Sequence, residues 1–234
     1  MSSSGTYSFA PSTGDLMLTA FGRIGIRRTE EVQQHLADAI TEMNLLQVEF
    51  SNKLPNLWLS ELYEVNLVAG QATYTLPARL ISPMAVYVTT TPNGSSNSFD
   101  RILNPISTYE YSAIPNKEEQ ATPTCFWFNR QVEPQVTLWQ VPDDSASYVM
   151  KLQIISQPQD ATLPNGVTPN LPFRWLDAFT AGLAARLAVI YRPDLEDKRK
   201  ADAERAWQIA AKEDTEQVPI FLYPALGTYY STGR

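Results

Sequence analysis

The 234 residues carry 18 Lys and Arg against 25 Asp and Glu, a net charge of −7, and only 18% of them are charged while 44% are hydrophobic. That balance suits one large soluble domain, or a compact core with a substantial insertion, and it excludes the dense positive field that a tight grip on a phosphate backbone requires. The single cysteine, Cys125, excludes an intrachain disulfide and a thiolate-rich metal site, and no apolar run approaches the roughly 18 residues of a membrane-spanning helix.

Charge is unevenly placed. Residues 1–60 hold four Lys/Arg and six Asp/Glu, residues 61–170 five and ten, residues 171–217 eight and nine, and the tail 218–234 only Arg234. The middle is therefore the acidic part, at −5. Pro, Asn, Gln, Ser and Thr are plentiful, and uncharged polar surface of this kind is buried between subunits without the desolvation cost that charges carry. The opening MSSSGTYSFAP has neither a basic region nor an apolar run, so no secretory signal is expected and assembly inside a cell is the default.

The first periodic segment runs from Ser12 to Gly25. Ser12 and Asp15 have the spacing of a capping box, and Leu16, Ala20 and Ile24 recur every four residues to give one apolar face. Gly22 and Gly25 leave its end open. A second helix is predicted over Glu30–Phe50, where Val32, Leu36, Ile40, Met43, Leu46 and Phe50 form the apolar stripe and Glu30 and Glu31 suit the positive end. Pro55 and Leu57–Leu59 follow, and then the period changes. Tyr63, Val65 and Leu67 alternate with Glu64 and Asn66, and Gly70–Gln71 turns the chain into Ala72–Leu76, as a hairpin would. Further strands are predicted at Met84–Thr91, Phe99–Leu103, Thr124–Phe128, Gln135–Val141 and Ser147–Ser156. In the last of these, Tyr148, Met150, Leu152 and Ile154 share a face. Residues 92–97 read as a turn, and one short helix is expected within Pro105–Ile114.

Residues 157–171 read as a linker or ordered loop. After Pro172 a long helix carries Trp175, Leu176, Phe179, Leu183, Leu187 and Ile190, laced with Ala178, Ala181, Gly182, Ala184, Ala185 and Ala188. Small residues at this density permit close helix approach from more than one side. Pro193 stops it, and Leu195 to about Val218 gives a second helix with Ala203, Trp207 and Ala210 on one face, an αα-hairpin. The tail 218–234 carries Ile220, Phe221, Leu222, Tyr223, Leu226, Tyr229 and Tyr230 without a helical period. Disordered tails are poor in such residues, so this one is expected to dock, either on its own domain or on a neighbouring subunit or partner.

The stretch LMLTAFGRIGI at Leu16–Ile26 with the helix that follows it, VAGQATYTLP at Val68–Pro77, and LPFRWLDAFTAGLAARLAVIY at Leu171–Tyr191 with its following helix resemble, in order and spacing, the head-to-tail adaptor proteins of tailed bacteriophages. The likeness is to the head-completion, packaged-DNA-stabilisation type of short-tailed phages, over about residues 12–217. It implies a structural virion protein whose copies form a dodecameric ring beneath the portal protein, continue the DNA channel without sequence-specific binding and offer a docking surface to a tail hub or nozzle protein. The resemblance also assigns residues 218–234 as the portal-binding arm. No enzyme activity, cofactor, metal or membrane is expected, and the protein belongs in the virion connector after assembly in the host cytoplasm.

The expected fold is α+β. A helical, ring-forming domain of residues 1–60 and 171–217 is interrupted by a β-rich antiparallel module at 61–170 and followed by an extended C-terminal arm at 218–234. The candidate contact patches are the Ala-rich helix and the arm residues Ile220, Phe221, Leu222, Tyr223, Leu226, Tyr229 and Tyr230. Arg23, Arg27 and Arg28 are candidate interface charges, since guanidinium pairs well with carboxylates; solvation or a DNA phosphate are the other readings. His35, the only histidine, falls in a polar stripe and reads as a surface residue. Glu42 and Glu49, seven apart on one helix, are the pair from which a peptidoglycan hydrolase would have to be built, and Asp143–Asp144 reads as an acidic turn, with a cation site as the other use. Trp58, Trp175 and Trp207 read as core, or else as interface anchors. A monomeric protein-binding module is the remaining alternative.

Overall fold

The computed structural model describes Gly5 and residues 9–27, 33–53, 57–162 and 168–214. Helix α1 (Thr13–Arg23) opens on the expected capping box: Ser12 Oγ accepts the Asp15 N–H at 3.2 Å and the Asp15 carboxylate accepts the Ser12 N–H at 3.2 Å. Its end is a Schellman motif. Ile26 N–H reaches Phe21 C=O at 3.0 Å and Gly25 N–H reaches Gly22 C=O at 3.1 Å. Gly25 takes φ +85°, a conformation that other residues resist. Leu16, Ala20 and Ile24 are buried as predicted, joined by Met17 and Phe21.

Helix α2 (Gln33–Lys53) buries Ala39, Met43, Leu46, Gln47 and Phe50. The predicted stripe is turned slightly, because Leu36 and Ile40 are only half-buried. Its predicted start, with Glu30 and Glu31, lies outside the described residues. A 3-10 turn at Leu57–Leu59 then feeds β1 (Ser60–Asn66).

The middle of the chain folds as two packed four-stranded sheets. One has the order β1-β8-β3-β4, with β3 at Leu80–Pro92, β4 at Phe99–Ile102 and β8 at Ala146–Ser156. The other has the order β2-β7-β6-β5, with β2 at Thr73–Thr75, β5 at Asn104–Pro105, β6 at Cys125–Asn129 and β7 at Gln135–Trp139. All pairs are antiparallel except the two-residue β5 beside β6. Tyr148, Met150, Leu152 and Ile154 of β8 are buried against Val136 and Leu138 of β7 and Phe126 of β6. Period-two alternation predicts this face, since successive side chains of a strand point to opposite sides. The predicted short helix is α3 (Thr108–Ala113), capped by Ser107 and Glu110.

One pairing differs from expectation. β1 and β2 are not a hairpin: β1 pairs with β8 in the first sheet and β2 with β7 in the second. The turn itself is real, with Gly70 at φ +80°, but it carries the chain from one sheet to the other. Tyr74 holds it, since its hydroxyl accepts the Val68 N–H at 2.9 Å and donates to Gln71 C=O at 3.0 Å. A buried hydroxyl thereby satisfies the backbone groups that a ladder partner would otherwise take.

The chain returns to the helices along residues 157–162, where Asn44 of α2 accepts the Ala161 N–H at 2.8 Å. A 3-10 turn at Phe173–Trp175 precedes α4 (Leu176–Tyr191), Pro193 ends it, and α5 (Glu196–Glu213) lies back along it. Asp214 closes α5 by accepting Arg174 Nε–H at 2.9 Å. The predicted continuation to Val218 lies outside the described residues. Helices α1, α2, α4 and α5 share one apolar core and the sandwich has another.

Candidate functional site

Helix α4 is the centre of the helical core. Ala178, Ala181, Ala184, Ala185 and Ala188 are all buried, together with Phe179, Leu183 and Leu187. A Cβ added at Gly182 would meet Leu46 Cδ1 of α2 at 3.0 Å. The expectation that this Ala-rich helix presents a patch to a neighbouring copy is thus corrected. Small side chains let α1, α2 and α5 approach it closely, and a helix apolar on all sides is buried on all sides. Of its large hydrophobic side chains only Val189 and Ile190, near its end, are substantially exposed.

Glu42 and Glu49 do share a face, and both point at one cation. Arg186 donates to Glu42 at 3.0 Å and to Glu49 at 2.7 Å, and Lys53 adds a 2.7 Å ion pair to Glu49. Burial alone would raise the Glu49 carboxyl, but hydrogen bonds and charge from Lys53 and Arg186 outweigh it and hold it below the ordinary carboxylate range. A glycosidic general acid needs the opposite shift. The pair therefore fastens α2 to α4, and the hydrolase reading falls.

His35 is not a solvated surface group. It is half-buried, its ring 5.8 Å from that of Phe21 and 4.7 Å from that of Tyr191. Tyr191 in turn donates to Asp38, and its hydroxyl is pushed up to about 12 by burial and by that carboxylate. Asp143 is likewise committed within its own turn: it accepts from Ser145 Oγ at 2.8 Å and from Tyr148 Oη at 2.8 Å. Those bonds, Ser145 first, hold its carboxyl below the ordinary range, and all of them fall on Oδ1. Among the described residues no group of three or more His, Cys, Asp or Glu side chains is placed to hold a metal, and no helix is long and apolar enough to cross a membrane.

Trp175 is 1% exposed, packed 5.5 Å from Phe50 and 5.4 Å from Trp58 between ring centroids. Trp58 and Trp207 are partly buried against the same core. Of the candidate interface charges, Arg23 pairs within the chain with Asp177 at 2.6 Å, Arg27 is exposed just past α1, and Arg28 lies outside the described residues. So do all seven arm positions, Ile220, Phe221, Leu222, Tyr223, Leu226, Tyr229 and Tyr230.

The sequence reading missed the apolar surface left on the outside. Leu45 and Val48 of α2 are about half exposed and, with Ile81 at the foot of β3, line a groove of about 410 Å³. Met84 and Ile102 are exposed on the sandwich, Ile102 at 76%. The signal was present at Leu45–Leu46, because adjacent helical residues cannot both face one core. Contiguous exposed apolar area of this kind marks surfaces that act by contact with other molecules.

The chain matches the SU10 adaptor protein family over residues 12–220 and belongs to it. It is accordingly a non-enzymatic head-to-tail adaptor of a tailed bacteriophage, a structural component of the virion. No curated protein matches it significantly.

Proposed function

We infer that copies of this chain, twelve in number, close a ring beneath the portal protein, lengthen the DNA channel and present a platform to the tail hub or nozzle. The observation that carries this reading is the apolar surface one copy leaves uncovered, at Leu45, Val48 and Ile81 along one groove and at Met84 and Ile102 along another. Two different patches on one molecule suit the head-to-tail contacts from which cyclic rings are built. The surplus of acidic over basic residues, 25 against 18, suits a wall that DNA slides past without being gripped. Residues 218–234 serve as the arm to the portal, and assembly takes place in the host cytoplasm.

Deleting residues 218–234 tests the arm. The shortened chain is expected to keep its far-ultraviolet circular dichroism per residue and to lose capture by immobilised portal. Undiminished capture would overturn the arm assignment.

A further inference from the structure

Arg23, Arg199 and Arg205 converge on a cleft of about 440 Å³ between α1, α4 and α5, with Ile209 at its rim. Two carboxylates share it. Arg23 holds Asp177 at 2.6 Å and Arg199 holds Asp202 at 3.3 Å, while Arg205 has no carboxylate partner among the described residues. The Arg199 side chain is only 16% exposed, and its Nε–H is buried with no acceptor among the described residues. A buried donor left in this state costs about 1–3 kcal/mol. The cleft is therefore short of one negative group, and the 60% exposed Ile209 beside it is short of an apolar partner.

The tip of the β6–β7 hairpin, residues 130–134, carries the matching pair. Val132 is 92% exposed, the most of any large hydrophobic among the described residues. Glu133 next to it is exposed and has no cationic partner among the described residues. Strand register places this tip at the end of the sandwich nearest the helices. Asn129 pairs with Gln135 just behind it, and Pro134 C=O accepts Leu76 N–H at 2.8 Å, close to where β3 starts. Asp177, which lines the cleft, follows Trp175 by two residues, and Trp175 packs on Trp58 two residues before β1.

We propose that the hairpin tip of one copy seats in the Arg23–Arg199–Arg205 cleft of the next, Val132 against Ile209 and the Glu133 carboxylate on the exposed Arg205 guanidinium. The contact joins two different patches, so repeating it propagates a ring. It also supplies the carboxylate that Arg205 lacks among the described residues of one copy. The proposal rests on the ring reading above and names its contact.

The test places photoreactive benzoylphenylalanine at position 132 of the full chain, mixes it with the phage's portal complex, irradiates, and maps intermolecular adducts by mass spectrometry. Adducts to residues 199–209 of a second copy are expected. In parallel, mass photometry reads ring formation by charge variants of two exposed positions, whose folding is checked by circular dichroism. Arg205→Glu is expected to weaken ring formation about tenfold, the equivalent of one charge-assisted contact, and adding Glu133→Arg to the same chain is expected to restore it. Adducts that fall elsewhere, or rings indifferent to the charge exchange, overturn this contact while leaving the ring itself standing. No ring from the unmodified chain, with portal or without it, overturns both.

Discussion

Replacing Trp175 separates two forces that act on one side chain. The indole is the largest fully buried group of the helical core, lying between Phe50 and Trp58, yet its Nε1–H finds no acceptor among the described residues. Trp175→Ala removes the ring and leaves a cavity where α2, α4 and the 3-10 turn before β1 meet, at a cost of about 3–5 kcal/mol. For a chain of this size each kcal/mol moves the melting temperature by about 2–4 °C, so a fall of about 6–20 °C is expected. Trp175→Phe keeps most of the aromatic contact and deletes a donor whose burial unpaired costs about 1–3 kcal/mol. The two changes offset, and the Phe variant is expected to lie within about 1 kcal/mol of the parent. Urea unfolding followed by far-ultraviolet circular dichroism reads both without relying on tryptophan emission. A Phe variant as unstable as the Ala variant would refute the unpaired-donor reasoning.

Tyr74→Phe strips the hydroxyl that accepts the Val68 N–H and donates to Gln71 C=O; an expected loss of about 1–3 kcal/mol is read in the same urea experiment, and an unchanged midpoint would show that the hydroxyl does not hold the turn. Arg186→Met tests the clamp on Glu42 and Glu49 through pH. The folded Glu49 carboxyl lies below its ordinary 4.5, so its contribution is present above the unfolded value and is lost as pH falls through the folded one. Melting curves from about pH 5 to about pH 3 are expected to decline less steeply in the variant than in the parent, and identical slopes would contradict the clamp. Leu45→Lys is expected to shift stability by no more than about 0.5 kcal/mol, as exposed positions do, and a collapse of the fold would mean that the α2 groove is interior.

Much of the fold was legible because local chemistry and tertiary position agree. Ser12 with Asp15 specifies a helix start, alternation along Tyr148–Ile154 specifies a half-buried strand, and Pro193 specifies the break between α4 and α5. The hairpin expectation at Gly70 failed because a glycine turn between two alternating segments specifies a reversal of the chain but not the partner of each arm. The destination depends on β7 and β8, more than sixty residues away in sequence, and on a Tyr74 hydroxyl whose role appears only in three dimensions. The Ala-rich helix was recognised as an element for close packing, and its neighbours turned out to be α1, α2 and α5 of its own chain. Composition tells that small residues admit a close partner; it does not tell whose. His35 was misplaced for a related reason, since imidazole is polar enough to read as surface and flat enough to pack, tilted on Phe21 and edge-on to Tyr191.

The claim on which the rest depends is that this adaptor works as a closed ring on the portal. Electron cryomicroscopy of the full chain bound to the portal measures it directly. The expected image is twelve copies in a continuous annulus coaxial with the portal channel, with residues 218–234 of each on portal surface. Isolated copies on the portal, each with that segment folded into its own helical core, would contradict it.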